Sequence, residues 1–177
     1  MQTRSRSSRP HSILIVDDDP DILVTFTEIL KNRNYSVESA SSGKDFLEMA
    51  RKTIYDVAIV DLKLPDIEGL ELLREMKKIS PRTKKIVITG YPTLESAIDA
   101  MGSGTDAYLL KPVEPEDFLK IVEQKIREKE EEETITDEKI RALIGKQPSQ
   151  GKKGESRSSR DPPGRHPSPG EELNGTS

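Results

Sequence analysis

Acidic, hydroxyl and basic side chains stand directly after several apolar segments of this 177-residue chain. The first segment ends at Asp17-Asp18-Asp19, the next strongly apolar one at Asp61, and two later ones at Thr89 and Lys111-Pro112. In a sheet of parallel strands, the ends that carry these residues lie along one edge, where such sheets bind ligands. The sequence therefore predicts one site that contains carboxylates, a hydroxyl and an ammonium group.

The predicted carboxylates repel one another unless a cation lies among them. Oxygen ligands with room for water suit Mg²⁺, which needs few protein ligands. No His or Cys stands near these positions, which argues against zinc. A lysine opposite a metal-bound carboxylate can neutralise a phosphoryl group, and a neighbouring hydroxyl can donate a hydrogen bond to it. The combination suits an aspartate that attacks phosphorus, with Mg²⁺ as cofactor.

Hydrophobic periodicity predicts the elements that must position these residues. Short β-branched segments alternate five times with amphipathic stretches, which is typical of parallel βαβ units. We expect strands at 12–17, 35–40, 55–61, 85–89 and 106–110. We expect helices after Asp19, at about 42–52, over 70–79, over an apolar stripe from Leu94 to Met101, and from Glu114 to about Lys129. The predicted fold class is α/β, a doubly wound five-stranded parallel sheet with five helices.

Composition and charge divide the chain into a folded middle and polar ends. Residues 1–11 form a basic arm, and 146–177 contain one large apolar side chain, Leu173, so we expect both segments to be disordered. Residues 13–145 carry a net charge of −9, because the whole chain carries −4 and its two ends together carry +5. An acidic domain argues against a dedicated nucleic-acid binder. Over 131–145 we expect an acidic linker and a short helix near Thr136.

The chain contains no cysteine, which excludes disulfides and thiolate chemistry. No apolar stretch reaches the roughly 18–20 residues of a membrane-spanning helix, and no signal-peptide pattern follows the N-terminal arginines. We therefore expect a cytoplasmic protein without membrane insertion.

Four segments resemble the receiver domain of two-component response regulators. They read ILIVDDDPD, VAIVDLKLPDIEGLELL, IVITGYPT and DAYLLKPV, in the order and spacing of that family, which places the domain at 12–130. The resemblance implies a flavodoxin-like sheet of order 2-1-3-4-5. It also implies a receiver that takes a phosphoryl group from a sensor histidine kinase or a phosphotransfer protein and signals to a protein partner. Because residues 131–177 are too few and too polar for an output domain, we expect a stand-alone receiver.

The resemblance implies a role for each residue of the predicted site. Asp61 would accept the phosphoryl group. Asp18 and Asp61 would bind Mg²⁺ directly, together with the backbone carbonyl of Lys63, and Asp17 would act through a metal-bound water. Lys111 would pair with a phosphoryl oxygen. The chain would then be a signalling phosphoacceptor that catalyses its own phosphorylation and dephosphorylation, not an enzyme acting on other substrates.

The resemblance also implies a conformational switch and an interaction face. Thr89 would form a hydrogen bond to the phosphoryl group, and Tyr108 would move inward behind it. The Lys111-Pro112 peptide would be cis. Residues at positions 63 and 91 would tune the lifetime of the aspartyl phosphate. The face formed by the fourth helix, fifth strand and fifth helix would dock a target or form a homodimer.

Three other interpretations stay open. A haloacid-dehalogenase-type phosphatase also uses an aspartate after its first strand, but Asp21 stands where that family has Thr or Val. A flavodoxin-like electron carrier shares the topology, yet three aspartates after the first strand would repel the phosphate of FMN. A receiver kept as an unphosphorylated scaffold would have the same fold, although the complete acidic set argues against it.

Overall fold

The structure, a computed structural model, describes residues 9–144, in which five strands alternate with five helices. The strands are β1 (Ser12–Val16), β2 (Ser36–Ala40), β3 (Val57–Val60), β4 (Lys84–Thr89) and β5 (Ala107–Leu110). The helices are α1 (Pro20–Lys31), α2 (Gly43–Lys52), α3 (Gly69–Ile79), α4 (Leu94–Gly102) and α5 (Pro115–Ile144). Most of the predicted basic arm and the whole predicted disordered tail lie outside the described residues.

The strands form one parallel sheet in the order β2-β1-β3-β4-β5. This order confirms the predicted fold class. Every residue of β3 and β4 is buried, as are four of the five residues of β1, because helices cover both faces of these strands. The edge strand β2 is more exposed, in keeping with its three polar residues, Ser36, Glu38 and Ser39.

Two hydrophobic clusters hold helices against the two faces of the sheet. One contains Phe46 of α2 and Met76 of α3. The other contains Phe26 of α1 with Phe118 and Val122 of α5. The rings of Phe26 and Phe118 stack with their centroids 4.3 Å apart. The two layers of helices leave the carboxyl ends of the strands as the edge at which a ligand can enter.

Helix α1 begins as the sequence predicts, because the third aspartate after β1 caps it. The side chain of Asp19 accepts hydrogen bonds from the backbone N–H groups of Asp21 and Ile22, at 2.9 and 3.4 Å, and Pro20 takes the first helical position. This cap assigns Asp19 a structural role. It leaves Asp17 and Asp18 at the edge of the sheet.

Helix α4 lies where it was predicted, but its apolar stripe faces solvent. Leu94, Ile98 and Met101 are 80%, 59% and 72% exposed, whereas Ala100 is fully buried. Three large apolar side chains spaced along one face of a helix therefore have no covering element among residues 9–144. None of the described helices combines the length and apolar composition that crossing a membrane requires.

The predicted break in the C-terminal helical region is wrong. Instead of a helix that ends near Lys129, an acidic linker and a short helix near Thr136, α5 is one helix of 30 residues. Residues 116–144 contain no Gly or Pro and are rich in Glu, Lys and Arg, which favour helix. An ion pair to the domain also supports this region, because Glu132 Oε1 lies 2.7 Å from Lys84 Nζ. The acidic run therefore continues the helix.

A buried ion pair fixes α5 to the opposite end of the sheet from the predicted site. Lys129 Nζ lies 2.6 Å from Asp56 Oδ1, and both residues are 6% exposed. Asp56 also accepts hydrogen bonds from the backbone N–H and the hydroxyl of Ser12, at 2.9 and 3.2 Å. His11, the last residue of the predicted arm, contacts both Asp56 and Glu130. One carboxylate thus joins the starts of β1 and β3 to α5.

We predict that Lys129→Met lowers the free energy of unfolding by about 3–5 kcal/mol, because it leaves the Asp56 carboxylate buried without its cation. The matched control is Lys120→Met on the same helix, whose ammonium pairs with Asp117 at the surface. We expect a change of about 0–1 kcal/mol for this control. Urea unfolding of the full chain measures both changes, and equal effects of the two substitutions would contradict the prediction.

The cost of Lys129→Met should depend on pH. Burial raises the pKa of the Asp56 carboxyl, but hydrogen bonds from Lys129 and Ser12 and the charge of Lys129 outweigh it, so the pKa falls below its ordinary value of 3.8. A lowered pKa in the folded state stabilises the fold above pH 3.8, and this stabilisation disappears as the pH falls through the folded value. The difference between wild type and Lys129→Met should therefore shrink in acid. A difference that stays constant down to pH 3, about one unit below the ordinary pKa of 3.8, would contradict this pH dependence.

Candidate functional site

Three carboxylates meet at the carboxyl ends of β1 and β3. One oxygen each of Asp17, Asp18 and Asp61 lie within 4.8 Å of one another. Asp17 and Asp61 are buried, at 3% and 6% exposure, whereas Asp18 is exposed to solvent. The register of the parallel strands β1 and β3 brings their carboxyl ends together, since Val16 of β1 lies opposite Val60 of β3. The structure therefore places these three predicted residues in one cluster.

Lys111, which follows β5, bridges the two buried carboxylates. Its Nζ lies 2.6 Å from Asp17 Oδ2 and 2.7 Å from Asp61 Oδ2. The peptide between Lys111 and Pro112 is cis, which confirms the expectation drawn from the resemblance. The lysine thus reaches across β4 and β3 to the end of β1.

Backbone N–H groups hold the other oxygen of each buried carboxylate. Asp17 Oδ1 accepts a hydrogen bond from the N–H of Asp19 at 2.9 Å, and Asp61 Oδ1 accepts one from the N–H of Lys63 at 3.0 Å. Each carboxylate is therefore oriented by one backbone donor and one shared ammonium group. This arrangement fixes the position of Asp61 before any ligand arrives.

The electrostatics of the cluster favour an additional cation. Burial raises the pKa of Asp17 and outweighs the hydrogen bonds from Lys111 and Asp19. Burial alone would lower the pKa of Lys111, but its hydrogen bonds to Asp17 and Asp61 raise it. Three carboxylates against one ammonium leave two excess negative charges. Within residues 9–144 this is the one group of three or more acidic, His or Cys side chains close enough to share a metal ion.

The carboxylates line a cavity of about 500 Å³ that is open to solvent. Its acidic and basic lining residues are Asp17, Asp18, Asp19, Asp61, Lys63 and Lys111. Tyr91 also lines the cavity, and Lys63 Nζ lies 3.8 Å from the centroid of its ring, a cation–π contact. The two positions that the resemblance connects with phosphate lifetime therefore touch each other beside Asp61.

Two residues that sequence reasoning missed hold the loop after Asp61 in place. Gly69 approaches the loop so closely that an added Cβ would lie 2.4 Å from Leu62 Cα and 2.6 Å from the Asp61 carbonyl oxygen. The carboxylate of Asp66 accepts hydrogen bonds from the N–H groups of Gly43 and Lys44, both at 2.9 Å. The Pro-Asp and Gly of LPDIEGL predict a loop, but no local pattern predicts that Asp66 binds α2.

The predicted switch residues lie beside the cavity and are not among its lining residues. Thr89 is fully buried at the end of β4, and its Oγ1 accepts a hydrogen bond from the N–H of Tyr91 at 3.2 Å. Tyr108 is half-buried on β5, and its hydroxyl lies 3.2 Å from the hydroxyl of Ser96 on α4. The Thr89 hydroxyl is thus bonded to the segment that connects β4 with α4, and the Tyr108 hydroxyl to the first turn of α4.

Sequence comparison relates the chain to bacterial transcriptional regulators. The profile of the response regulator receiver domain matches residues 13–123. The alginate biosynthesis transcriptional regulatory protein AlgB of Pseudomonas aeruginosa is 34% identical over 110 residues, which are 62% of this chain and 24% of AlgB. The chain therefore spans about a quarter of the length of this curated relative.

Solved structures agree with the profile match. A CheY-like receiver domain protein from Methanospirillum hungatei JF-1 has a TM-score of 0.69 and 41% identity, covering 70% of this chain and 98% of its own. A response regulator from Burkholderia pseudomallei, solved with a phosphorylated aspartic acid, a calcium ion and citrate, has a TM-score of 0.62 and 28% identity, covering 71% and 74%. With the profile match over more than half of its length, the chain belongs to the response regulator receiver domain family.

Proposed function

We propose that Asp61 is the phosphoacceptor of a two-component phosphorelay, and that a sensor histidine kinase or a phosphotransfer protein is the donor. The observation that carries this proposal is the position of the Asp61 carboxylate, which is buried, shares the Lys111 ammonium with Asp17 and borders a solvent-open cavity. The Burkholderia pseudomallei relative carries a phosphorylated aspartic acid, which supports the same chemistry here. With such a donor, we propose that the protein works in the cytoplasm.

In the proposed reaction, a carboxylate oxygen of Asp61 forms a bond to phosphorus while the phosphorus–nitrogen bond of the phosphohistidine breaks. The leaving imidazole nitrogen takes a proton, and the product is an acyl phosphate. The hydrogen bond from the Lys63 N–H holds one Asp61 oxygen still, so the other can face the donor. Lys111 lies 2.7 Å from that second oxygen and is close enough to pair with the negative charge that arrives on the phosphoryl group.

We propose Mg²⁺ as the metal, held directly by Asp18 and Asp61 with the backbone carbonyl of Lys63. Hard carboxylate oxygens and excess negative charge fit this ion. Asp17 acts through a metal-bound water in this proposal, as the resemblance implies, and its two oxygens accept hydrogen bonds from Asp19 and Lys111. When bound, Mg²⁺ would neutralise negative charge on the transferring phosphoryl group.

The proposed switch follows from the same charge change. A phosphoryl group on Asp61 provides acceptor oxygens for the Thr89 hydroxyl, which at rest is bonded to the N–H of Tyr91. Movement of Thr89 makes space for the Tyr108 ring beside it. Hydrolysis of the aspartyl phosphate returns the switch to the resting state. Lys63 and Tyr91, which contact each other, line the cavity through which water would reach Asp61. We propose that these two residues set the rate of autodephosphorylation.

We propose that the donor protein docks over α1. A shallow apolar cavity on α1 includes Leu23 and Val24, and Val24 is 56% exposed. This helix starts at the aspartate cluster, so a partner covering it brings its phosphohistidine to the cavity. An apolar surface next to a charged site suits a partner that contributes its own charged group.

The exposed stripe on α4 supports a second interaction face, shared by α4, β5 and α5. Leu94, Ile98 and Met101 of α4 and Leu110 of β5 are each more than half exposed. We propose that this face forms a homodimer or docks a downstream protein once the switch has moved. Exposed apolar patches on small domains commonly mark such interfaces.

We predict that incubation with acetyl phosphate and Mg²⁺ adds one phosphoryl group to the full chain, as measured by intact-mass spectrometry. EDTA should prevent the addition, and Asp61→Asn should remove the acceptor. No added mass in a folded wild-type sample under any condition would favour the scaffold interpretation. Addition to Asp61→Asn at the wild-type level would place the phosphoryl group on another residue.

We predict that Asp18→Ala weakens Mg²⁺ binding by more than the about 10–100-fold typical of losing an outer-shell partner, because a direct ligand is lost. The matched control is Asp21→Ala, which removes a nearby acid outside the three-carboxylate cluster. Titration calorimetry of both variants measures the affinities. Undiminished affinity in Asp18→Ala would refute the proposed ligand set.

We predict that Ile98→Glu prevents self-association in the presence of beryllofluoride and Mg²⁺, because it puts a charge into the apolar stripe. The matched control is Ile54→Glu, since Ile54 is 70% exposed and lies just before β3, away from α4. Sedimentation velocity measures the oligomeric state. A wild-type chain that stays monomeric with both additions would exclude the homodimer.

A further inference from the structure

We propose that Ser96 is the positioning residue that holds Tyr108 at rest. In this proposal Tyr108 can move only after the hydrogen bond between its hydroxyl and that of Ser96, in the first turn of α4, has broken. The inference rests on the proposed function, because it concerns the same switch. It assigns a role to a residue that neither lines the cavity nor belongs to the aspartate cluster.

The hydrogen bonds around Ser96 are complete only when Tyr108 donates to it. Ser96 Oγ lies 3.1 Å from the N–H of Thr93, 2.9 Å from the carbonyl of Thr93 and 3.2 Å from Tyr108 Oη. A serine hydroxyl has one proton and two lone pairs. It accepts from the Thr93 N–H and donates to the Thr93 carbonyl, so its remaining lone pair accepts the proton of Tyr108. Every donor and acceptor of this hydroxyl then has a partner.

The same serine also caps α4. The hydroxyl of Thr93 accepts from the N–H of Ser96 at 2.9 Å, and the two residues form a reciprocal capping box. Tyr108 is therefore bonded to a residue of the capping box. The two bonds between the Ser96 hydroxyl and the backbone of Thr93 hold this hydroxyl in one position, so the acceptor for the Tyr108 hydroxyl is already in place.

This arrangement connects both switch residues to one short segment. Thr89 is bonded to the N–H of Tyr91, and Tyr108 is bonded to Ser96. In the sheet, Thr89 stands opposite Leu110 and Val87 stands opposite Tyr108, so the two hydroxyl-bearing residues are close neighbours. When the Thr89 hydroxyl moves, the sheet loses its hydrogen bond to Tyr91. When the Tyr108 hydroxyl moves, the sheet loses its hydrogen bond to Ser96.

The bond to Ser96 favours the resting state. A substitution that removes the Ser96 hydroxyl loses the helix cap in both states, but it loses the bond to Tyr108 in the resting state alone, because Tyr108 leaves α4 in the switched state. The substitution therefore shifts the equilibrium toward the switched state. A ligand that prefers the switched state must then bind more tightly. One net hydrogen bond corresponds to a change of about two- to tenfold in affinity.

The test uses the full chain with beryllofluoride and Mg²⁺ as the phosphoryl mimic. We expect Ser96→Ala to bind beryllofluoride about two- to tenfold more tightly than wild type, and Ser96→Thr, which keeps the oxygen, to match wild type. In the Tyr108→Phe background, Ser96→Ala should have no further effect. Equal effects of Ser96→Ala with and without Tyr108→Phe would overturn the proposal.

A second control separates the tyrosine bond from the helix cap. Thr93→Val removes the side-chain half of the capping box but leaves the Ser96 hydroxyl and its bonds to the Thr93 backbone in place. If Ser96 acts on Tyr108, Thr93→Val binds beryllofluoride as wild type does. If Thr93→Val reproduces the effect of Ser96→Ala, the effect comes from the stability of α4, and the role of Ser96 as a positioning residue is refuted.

A measurement on the resting chain distinguishes failure of this inference from failure of the proposed function. NMR scalar couplings report the χ1 rotamers of Tyr108 without any phosphoryl mimic. We expect Ser96→Ala to broaden the rotamer distribution, and Ser96→Thr to preserve it. An unchanged distribution in Ser96→Ala refutes the role of Ser96 even if all forms bind beryllofluoride. A changed distribution in a chain that does not bind beryllofluoride refutes the phosphoacceptor function alone.

Discussion

The repulsion among carboxylates at the ends of β1 and β3 is the constraint on which the rest of the site depends. Two of them are buried, and burial makes their charge more costly than at the surface. Lys111 compensates part of this charge by lying between Asp17 and Asp61. The exposed Asp18 adds a third negative charge beside these two ion pairs. The excess negative charge of this cluster suits the cation that we propose for it.

Rigid elements on every side keep these charges in place. β1 and β3 are buried on both faces, so their last residues have little freedom. Asp66 binds the start of α2, and Gly69 lets α3 begin in contact with the loop that follows Asp61. At the opposite end of the sheet, Asp56 joins the starts of the same two strands. Carboxylates thus lie at both ends of the central strands: the cluster with the proposed phosphoacceptor Asp61 at one end, and the structural Asp56 at the other.

The sequence predicts much of this because parallel strands carry a simple geometric rule. Continuous β-branched segments indicate buried strands, and the residues that follow them must meet at one edge. Asp17, Asp18, Asp61 and Lys111 could be brought together on that rule alone. Polar contacts between distant segments have no periodic signal, so the pairs Asp56 with Lys129 and Ser96 with Tyr108 could not be foreseen. The sequence predicts the end of α5 too early because its acidic run resembles a linker, whereas Glu and Lys also favour helix.

Helix α5 has a mechanical consequence. At 1.5 Å per residue, its 30 residues span about 45 Å. The ion pairs of Lys129 and Glu132 hold it near the middle, and Phe118 and Val122 pack its first half into the core. The segment beyond Thr136 extends past these anchors as a stiff arm. A small tilt of the packed half would be multiplied along the arm, so the helix can act as a lever that turns a local rearrangement of the domain into a larger displacement at its far end.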